Sequence, residues 1–341
     1  MPQDATFNIP FSEPPLAPEL DEVRQESLRW LTGHGLLRSS EAEIRFSGWN
    51  LTELASRFFP QARGSELLLA ANQQGFFFLF DDQFDAPEGL RDEAVAVTRQ
   101  LMALAHQPPG TRANLQTPVT DAWTEIWAES CEGMSMSWRN RAIYSWDRYF
   151  TGNLVEALHR TKSPLDNLNE YLVCRRQTIG TGPVMDMSER VQGFEIPSAA
   201  FHTPQLQYLR DLATDAVTLM NDVASVEKEE HREDVLNSVL MLERTRRLNR
   251  SEAIQEVSAV LDVKLDEFGR VSSMLDSVYS VLQLSSESQK DVASYVHFAL
   301  KSMIRGNYDW QLHSGRYNAE SGLDMRPADL TNYLEDLVSP T

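Results

Sequence analysis

The sequence has little of what marks a secreted, membrane-spanning or nucleic-acid-binding protein. Its only two cysteines, Cys131 and Cys174, form neither a metal-ligand pattern nor a disulfide framework. No uninterrupted apolar run approaches the length of a transmembrane helix, and the first residues lack the basic and apolar regions of a signal peptide. The formal net charge of −19 does not suit a phosphate backbone. We therefore expect a cytoplasmic protein with no membrane span and no nucleic-acid partner.

Strand patterns, repeats and interdomain linkers are also missing. Alternating β-branched stretches are nearly absent, no fixed-period repeat indicates a solenoid, and no Gly/Ser-rich tract marks a domain boundary. Five of the 16 prolines fall within residues 1–20, which predicts an extended N-terminal strap there and one domain over residues 21–341. Helical patterns dominate the rest, and we predict an all-α fold. The predicted helices cover about 20–33, 65–85, 90–106, 116–136, 138–161, 166–190, 204–231, 234–246, 250–280 and 286–311.

An aromatic run leads directly into a cluster of acids in the segment FFFLFDDQFD, residues 76–85. On a helix Asp81 and Asp85 share a face, and Asp82 lies about 100° round from Asp81. Carboxylates this close repel one another unless a cation lies between them, and hard oxygen ligands suit Mg²⁺. The alternative is a solvated acidic helix end.

A second oxygen-rich face occurs in NDVASVEKE, residues 221–229. Asn221, Ser225 and Glu229 fall at i, i+4 and i+8 on a helix, so they form one stripe. An amide oxygen, a hydroxyl and a carboxylate are suitable ligands for a hard divalent ion, and Lys228 beside them could contact a phosphate. The alternative is an exposed helix with Glu/Lys pairs, although Asn and Ser are weak helix formers.

Two basic segments could contact an anionic group. Arg316 and Tyr317 follow a glycine near the C-terminus, and an Arg offers a fork of donors that matches phosphate oxygens. Arg175 and Arg176 precede a stretch with Gly180 and Pro183, where a helix break is expected. Taken alone, these segments also fit a surface loop and a pair of ion-paired or exposed arginines.

Together these motifs resemble those of the bacterial class I terpene cyclases, and especially of their sesquiterpene cyclases. DDQFD matches the DDxxD motif of that family, NDVASVEKE matches ND(L/I/V)xSxx(K/R)E, and the pair at 316–317, six residues after Trp310, matches the C-terminal Arg-Tyr pair. The resemblance extends over nearly the whole chain. It implies one bundle of antiparallel helices around an apolar cavity, which binds a linear prenyl diphosphate.

The resemblance also implies roles for individual residues. Three Mg²⁺ ions are expected, held by Asp81, with Asp82 and Asp85 in support, and by Asn221, Ser225 and Glu229. Lys228, Arg316 and Tyr317 would grip the diphosphate. Arg175, 46 positions before Asn221, is expected to sense the diphosphate in preference to Arg176, while Thr178 to Gly180 would help to trigger ionisation.

Aromatic side chains are expected to form the cavity wall. Phe77 lies one turn before Asp81 and Phe78 one turn before Asp82, so their rings could stabilise a carbocation by cation–π attraction. Trp310 is a further wall candidate, whereas Phe76 and Phe80 should face neighbouring helices. The sequence departs from the family at Gln311, where a histidine would be expected, and at Gly75 and Phe76, where bulkier residues including a tryptophan would be.

The predicted reaction is ionisation and cyclisation of farnesyl diphosphate, with the diphosphate itself as the candidate proton acceptor. Geranylgeranyl diphosphate remains an alternative substrate, and a homodimer is possible. A chain-elongating prenyl diphosphate synthase would carry a second aspartate-rich motif, and a class II cyclase would carry a DxDD motif. A non-catalytic helical scaffold would explain the helices but not the three spaced motifs.

Overall fold

The computed structural model describes residues 6–83, 91–162, 165–231, 236–317 and 336–339. These residues form sixteen α-helices, one π-helical segment and no strand. In chain order the elements are α1 (Leu20–Gly33), α2 (Ser40–Trp49), α3 (Leu51–Phe58), α4 (Gly64–Asp81), α5 (Asp92–Ala105), α6 (Pro118–Cys131), α7 (Met136–Lys162), α8 (Leu168–Thr178), α9 (Thr181–Gln192), α10 (Ser198–Phe201), α11 (Pro204–His231), α12 (Ser238–Arg246), α13 (Arg250–Ser272), α14 (Leu275–Leu282), α15 (Ser286–Ser294), the π-helical segment (Tyr295–Lys301) and α16 (Ser302–His313).

The all-α prediction is confirmed, but residues 34–63 hold two helices that the patterns did not predict. These are α2 and α3, and every residue of α3 is buried, including Glu53 and Arg57. The two charges are tolerated because Arg57 Nε donates to Glu53 Oε1 at 2.8 Å and because Arg57 also pairs with Glu13. The sequence pattern did not predict this core helix, because buried helices seldom contain charged residues.

Helix α11 is the central element for the site. It packs against α8, α12, α13 and α16, and most of its residues from Leu206 to Val226 are buried. Helix α4 packs against α1, α3, α6 and α9. These two helices carry the two acidic motifs, so the bundle brings the C-terminal half of each helix to one end of the core. No helix of the described chain is both long enough and apolar enough to cross a membrane.

The core beside α4 is aromatic. Phe76 is fully buried and stacks on Phe80 with ring centroids 5.5 Å apart, and it meets Trp146 of α7 edge-on. Phe80 also packs edge-on against Phe150, 5.6 Å away. Phe76 and Phe80 thus face neighbouring helices, on the opposite side of α4 from Phe78.

Two glycines allow the backbone to approach the site. Gly180 lies in the left-handed region at φ 77° and separates α8 from α9, where the sequence predicted a break within one helical stretch. Gly315 follows α16 and donates to Gly48 O at 3.0 Å. A Cβ atom at Gly315 would lie 2.7 Å from that carbonyl oxygen, so only glycine fits there.

The described part of the N-terminal segment is extended and packs on the helices. Phe7 contacts Tyr308 edge-on, and Phe11 contacts Phe268 in the same way. Glu13 accepts from Arg57 Nη1 at 2.8 Å. The segment therefore lies against α3, α13 and α16.

Candidate active site

A cavity of about 110 Å³ opens where α4, α7, α8, α11 and the chain after α16 meet. Its wall contains acidic, basic and aromatic side chains from segments that are far apart in the sequence. The lining residues are Phe77, Phe78, Asp81, Tyr149, Arg175, Thr178, Ile179, Gly180, Asn221, Ser225, Lys228, Glu229, Leu236, Arg316 and Tyr317.

The first acidic motif lies at the end of α4. Asp81 is the last residue of the helix and lines the cavity. Asp82 is buried behind it and accepts from Arg316 Nη2 at 2.9 Å. Asp85 falls outside the described residues. The structure therefore brings one acid of the motif to the cavity surface and pairs a second with a cation of the same cavity.

The second motif presents one face of α11 to the same cavity. Asn221, Ser225 and Glu229 all line it, as the i, i+4, i+8 spacing predicts. Ser225 Oγ donates to Asn221 O at 2.8 Å. An amide oxygen, a hydroxyl and a carboxylate fit a hard divalent cation such as Mg²⁺. Among the residues described, no three His, Cys, Asp or Glu side chains cluster as a metal site.

A buried acid next to this face was missed by the sequence patterns. Asp222 accepts from Tyr171 Oη at 2.8 Å and from the Ser238 backbone N–H at 3.1 Å. Burial raises the pKa of Asp222 to about 6, although the Arg175 charge and these hydrogen bonds act in the opposite direction. Asp222 thus ties α11 to α8 and α12 rather than facing the cavity.

The two adjacent arginines of α8 have different surroundings. Arg175 lines the cavity, and its Nη1 donates to Glu156 Oε2 at 3.0 Å and to Thr178 Oγ1 at 3.2 Å. Burial is the largest single influence and opposes its charge, but Glu156, Tyr171, Asp222 and Glu229 together outweigh burial and hold the pKa of Arg175 above its ordinary value. Arg176 instead forms two hydrogen bonds to Asp215, at 2.7 and 2.8 Å, and is not part of the cavity wall.

The C-terminal pair closes one side of the cavity. The Arg316 guanidinium contacts two rings, at 4.4 Å from the centroid of Trp49 and 4.7 Å from that of Phe78. Burial is the largest single influence and opposes its charge, but Asp82, Tyr317 and Asp81 together outweigh burial and raise the pKa of Arg316. Tyr317 Oη accepts from Asn221 Nδ2 at 2.8 Å, and burial raises the pKa of Tyr317 to about 12. Both residues are held beside the two acidic motifs.

The apolar wall is built largely from α4 and α7. Phe77 stacks on Trp146 with centroids 5.1 Å apart and meets Tyr149 edge-on at 5.0 Å. Phe78 forms the other side of the wall. Trp310 is not among the lining residues; it packs edge-on against Phe78 and Tyr317 and so supports the wall from behind.

Tyr149 and Trp49 were not singled out from the sequence. Tyr149 lies three residues after Trp146, and this aromatic spacing on a predicted helix was a usable signal. Trp49 ends α2, a helix that was not predicted, and its carbonyl accepts from Trp310 Nε1 at 2.9 Å. Its position over Arg316 depends on the tertiary packing alone.

Gly75 and Gln311, two residues that differ from those expected for the family, are both buried. A Cβ atom at Gly75 would lie 3.1 Å from Leu31 and 3.2 Å from Phe46, so α1 and α2 leave little room for a larger residue. Gln311 is fully buried, and neither its amide nitrogen nor its oxygen has a hydrogen-bond partner among the described residues. Nothing in the structure explains the choice of Gln at 311.

Comparisons with known proteins agree on one family. Residues 75–267 match the family model described as terpene synthase family 2, C-terminal metal binding. The chain is 46% identical over 337 residues to a (−)-β-caryophyllene synthase of Saccharothrix espanaensis, described as (2E,6E)-farnesyl diphosphate cyclizing, with 99% of this chain and 94% of that protein covered. It is 35% identical over 341 residues to the pentalenene synthase of Streptomyces avermitilis, with 99% of each covered. The crystal structure of an α-eudesmol synthase superposes with a TM-score of 0.84 at 31% identity, over 92% of this chain and 100% of that one.

Proposed function

This chain belongs to the terpene synthase family and is a class I terpene cyclase, and we propose that it converts farnesyl diphosphate into a cyclic sesquiterpene. We further propose that the reaction requires three Mg²⁺ ions and releases diphosphate. One observation carries the proposal: both acidic motifs, three cationic side chains and an aromatic wall line the same cavity. Farnesyl diphosphate is favoured because relatives that align over the full chain are described as cyclising it.

The acidic motifs would hold the metal ions. We assign Asp81, supported by Asp82 and Asp85, to one group of ligands. Asn221, Ser225 and Glu229 form the other. When bound, Mg²⁺ acts as a Lewis acid on the diphosphate oxygens and so favours departure of the diphosphate.

The basic groups and hydroxyl would hold the diphosphate in place. Arg175 reaches the cavity from α8, Lys228 from α11, and Arg316 with Tyr317 from the segment after α16. N–H donors aimed at the departing group stabilise the charge that develops on it. Thr178, which accepts from Arg175, and Gly180, which turns the backbone into the cavity, would couple Arg175 to the reacting end of the substrate.

The aromatic wall would protect and stabilise the carbocation. Phe77, Phe78 and Tyr149 offer π faces, which attract a cation without forming a bond to it. Arg316 and Tyr317 cover the side of the cavity nearest the acidic motifs and exclude water there. The released diphosphate, held beside them, is the proton acceptor that we propose.

The experiment is parallel incubation of the purified protein with geranyl, farnesyl and geranylgeranyl diphosphates and Mg²⁺, with products identified by gas chromatography–mass spectrometry. We expect a cyclic product from farnesyl diphosphate that disappears on addition of EDTA and returns with Mg²⁺. A cyclic product from geranylgeranyl diphosphate alone would overturn the substrate assignment. No product from any substrate would overturn the activity.

Variants test the metal assignment in the same assay. Asn221→Ala and Glu229→Ala should abolish turnover while the protein stays folded. The matched control is Glu230→Ala, because Glu230 is exposed one position later on the same helix and pairs with Arg250 at 2.9 Å. Full activity in both Asn221→Ala and Glu229→Ala would contradict the assignment.

A further inference from the structure

Asn237, the residue that precedes α12, contacts the metal-motif face of α11 from outside the cavity. Its side chain is completely buried. One amide N–H donates to Glu229 Oε2 at 2.7 Å and the other to the Asp222 backbone oxygen, also at 2.7 Å. Asp222 and Glu229 lie seven residues apart, about two helical turns, on one side of α11. The Asn237 amide therefore forms hydrogen bonds to two residues of the motif, Asp222 and Glu229.

The other end of the amide fixes its orientation. Asn237 Oδ1 accepts from the backbone N–H groups of Val239 at 2.8 Å and Leu240 at 3.3 Å, so it caps α12. Rotating the amide by 180° would place its oxygen against a carboxylate and a carbonyl oxygen, and its NH₂ group against two N–H donors. The donors are thus locked toward Glu229.

Glu229 needs such support because of its place in the helix. It lies in the last turn of the described part of α11, two residues before His231. The last turn of a helix frays, and the negative end of the helix dipole disfavours a carboxylate there. A carboxylate has two oxygens and several acceptor positions, so the same group can accept from Asn237 and also bind a cation.

From these contacts we infer that Asn237 is a positioning residue that orients Glu229 for divalent-metal binding. The inference rests on the proposed function, in which Glu229 is a metal ligand. Groups that hydrogen-bond a ligand from outside the coordination sphere typically change metal affinity or activity by about 10–100-fold when they are removed. Loss of the Asn237 donors should therefore raise the Mg²⁺ concentration needed for half-maximal effect by about tenfold or more.

Two variants separate this role from the helix cap. Asn237→Ser keeps a good N-cap oxygen, but the shorter side chain does not reach Glu229. Asn237→Asp keeps the size and the cap oxygen, but it has no N–H to donate. The matched control is Asn249→Ser, because Asn249 caps α13 by accepting from the Glu252 N–H at 3.0 Å and has no contact with the cavity.

The measurement is the thermal unfolding midpoint during titration with Mg²⁺ at a fixed concentration of inorganic diphosphate, with the Mg²⁺ activation curve for turnover beside it. A ligand that binds only the folded state raises this midpoint, so the titration reports binding without turnover. We expect both Asn237 variants to need about tenfold more Mg²⁺ in both assays, and Asn249→Ser to match the wild type. A purely structural role would lower the ligand-free midpoint and leave the Mg²⁺ dependence unchanged.

The outcomes distinguish the inference from the proposed function. If Mg²⁺ with diphosphate fails to stabilise the wild type, the proposed metal site itself is wrong. If the wild type is stabilised and either Asn237 variant has the wild-type Mg²⁺ dependence, the positioning role is wrong. An equal shift in Asn249→Ser would also overturn it, because the effect would then follow from a weakened helix cap.

Discussion

Replacing each of the adjacent arginines in α8 by methionine should separate catalysis from stability. Methionine keeps an unbranched apolar side chain but removes the charge and all donors. Arg175 lines the cavity, whereas Arg176 is not part of the cavity wall and pairs with Asp215 and Asp211 of α11. We expect Arg175→Met to lower turnover by about 10²–10³-fold, the usual effect of removing a donor to developing negative charge. Arg176→Met should keep activity close to that of the wild type.

The stability costs follow from what each arginine leaves behind. Arg175→Met removes a cation from Glu156, whose side chain is only 2% exposed. Breaking a buried ion pair costs about 3–5 kcal/mol, because the carboxylate that remains loses an opposite charge in a buried position. Arg176→Met should cost less, about 1–3 kcal/mol for its charged hydrogen bonds, because Lys264 Nζ still lies 2.8 Å from Asp215 Oδ2.

The double variant Arg175→Met/Glu156→Gln completes the test. Neutralising Glu156 removes the buried charge that Arg175 balances in the wild type, so most of the lost stability should return while turnover stays low. Unfolding by urea gives the free energies, and product formation from farnesyl diphosphate gives the rates. Recovery of turnover in the double variant would show that Arg175 acts only by supporting the fold. If Arg176→Met loses turnover and Arg175→Met retains it, our assignment of the diphosphate contact to Arg175 is wrong.

Three further predictions follow from single positions. Phe77→Ala should change the product mixture more than the Mg²⁺ dependence, because it removes a ring of the cavity wall but no metal ligand. Gly180→Ala and Gly193→Ala should each lower the free energy of unfolding by about 1–2 kcal/mol, because both glycines flank α9 at positive φ, 77° and 73°. Of these two variants, only Gly180→Ala should lower turnover, because Gly180 lines the cavity and Gly193 does not. Cys131 should resist thiol reagents at pH 8 in the folded protein, because burial raises its pKa to about 11.

Each of these has a measurement that can contradict it. An unchanged product mixture for Phe77→Ala would show that this ring only packs the core and does not shape the product. Equal turnover in the two glycine variants would mean that the turn at Gly180 has no part in catalysis. Rapid labelling of Cys131 before unfolding, followed by mass spectrometry, would show that the core around it opens readily.

The sequence predicted the long helices and the metal motifs because both are local patterns. Asn221, Ser225 and Glu229 share a face in any α-helix, so their arrangement needs no knowledge of the fold. The break near Gly180 was likewise predictable from local composition. Helix α3 was not, because it is eight residues long, is buried on all sides and contains a Glu–Arg pair.

The rest of the site depends on packing between distant segments. Adjacent residues on a helix point about 100° apart, so the family pattern could favour Arg175 over Arg176, but only the neighbouring helices decide which one faces the cavity. The position of Trp49 over Arg316 requires α2 to meet the chain after α16, more than 250 residues later. The bonds from Asn237 to Asp222 and Glu229 likewise form only when the chain returns to α11.

The charges around the cavity bear on the proposal that a protein with a net charge of −19 binds a diphosphate. Among the described lining residues, three cations face two carboxylates, so the local balance is opposite to that of the whole chain. Two of those cations, Arg175 and Arg316, already pair with Glu156 and Asp82. In the proposed function, diphosphate binding would therefore draw on cations that also neutralise buried acids, and additional positive charge would be needed to serve both. Metal ions at the acidic motifs would supply it, and by linkage each should strengthen the binding of the other.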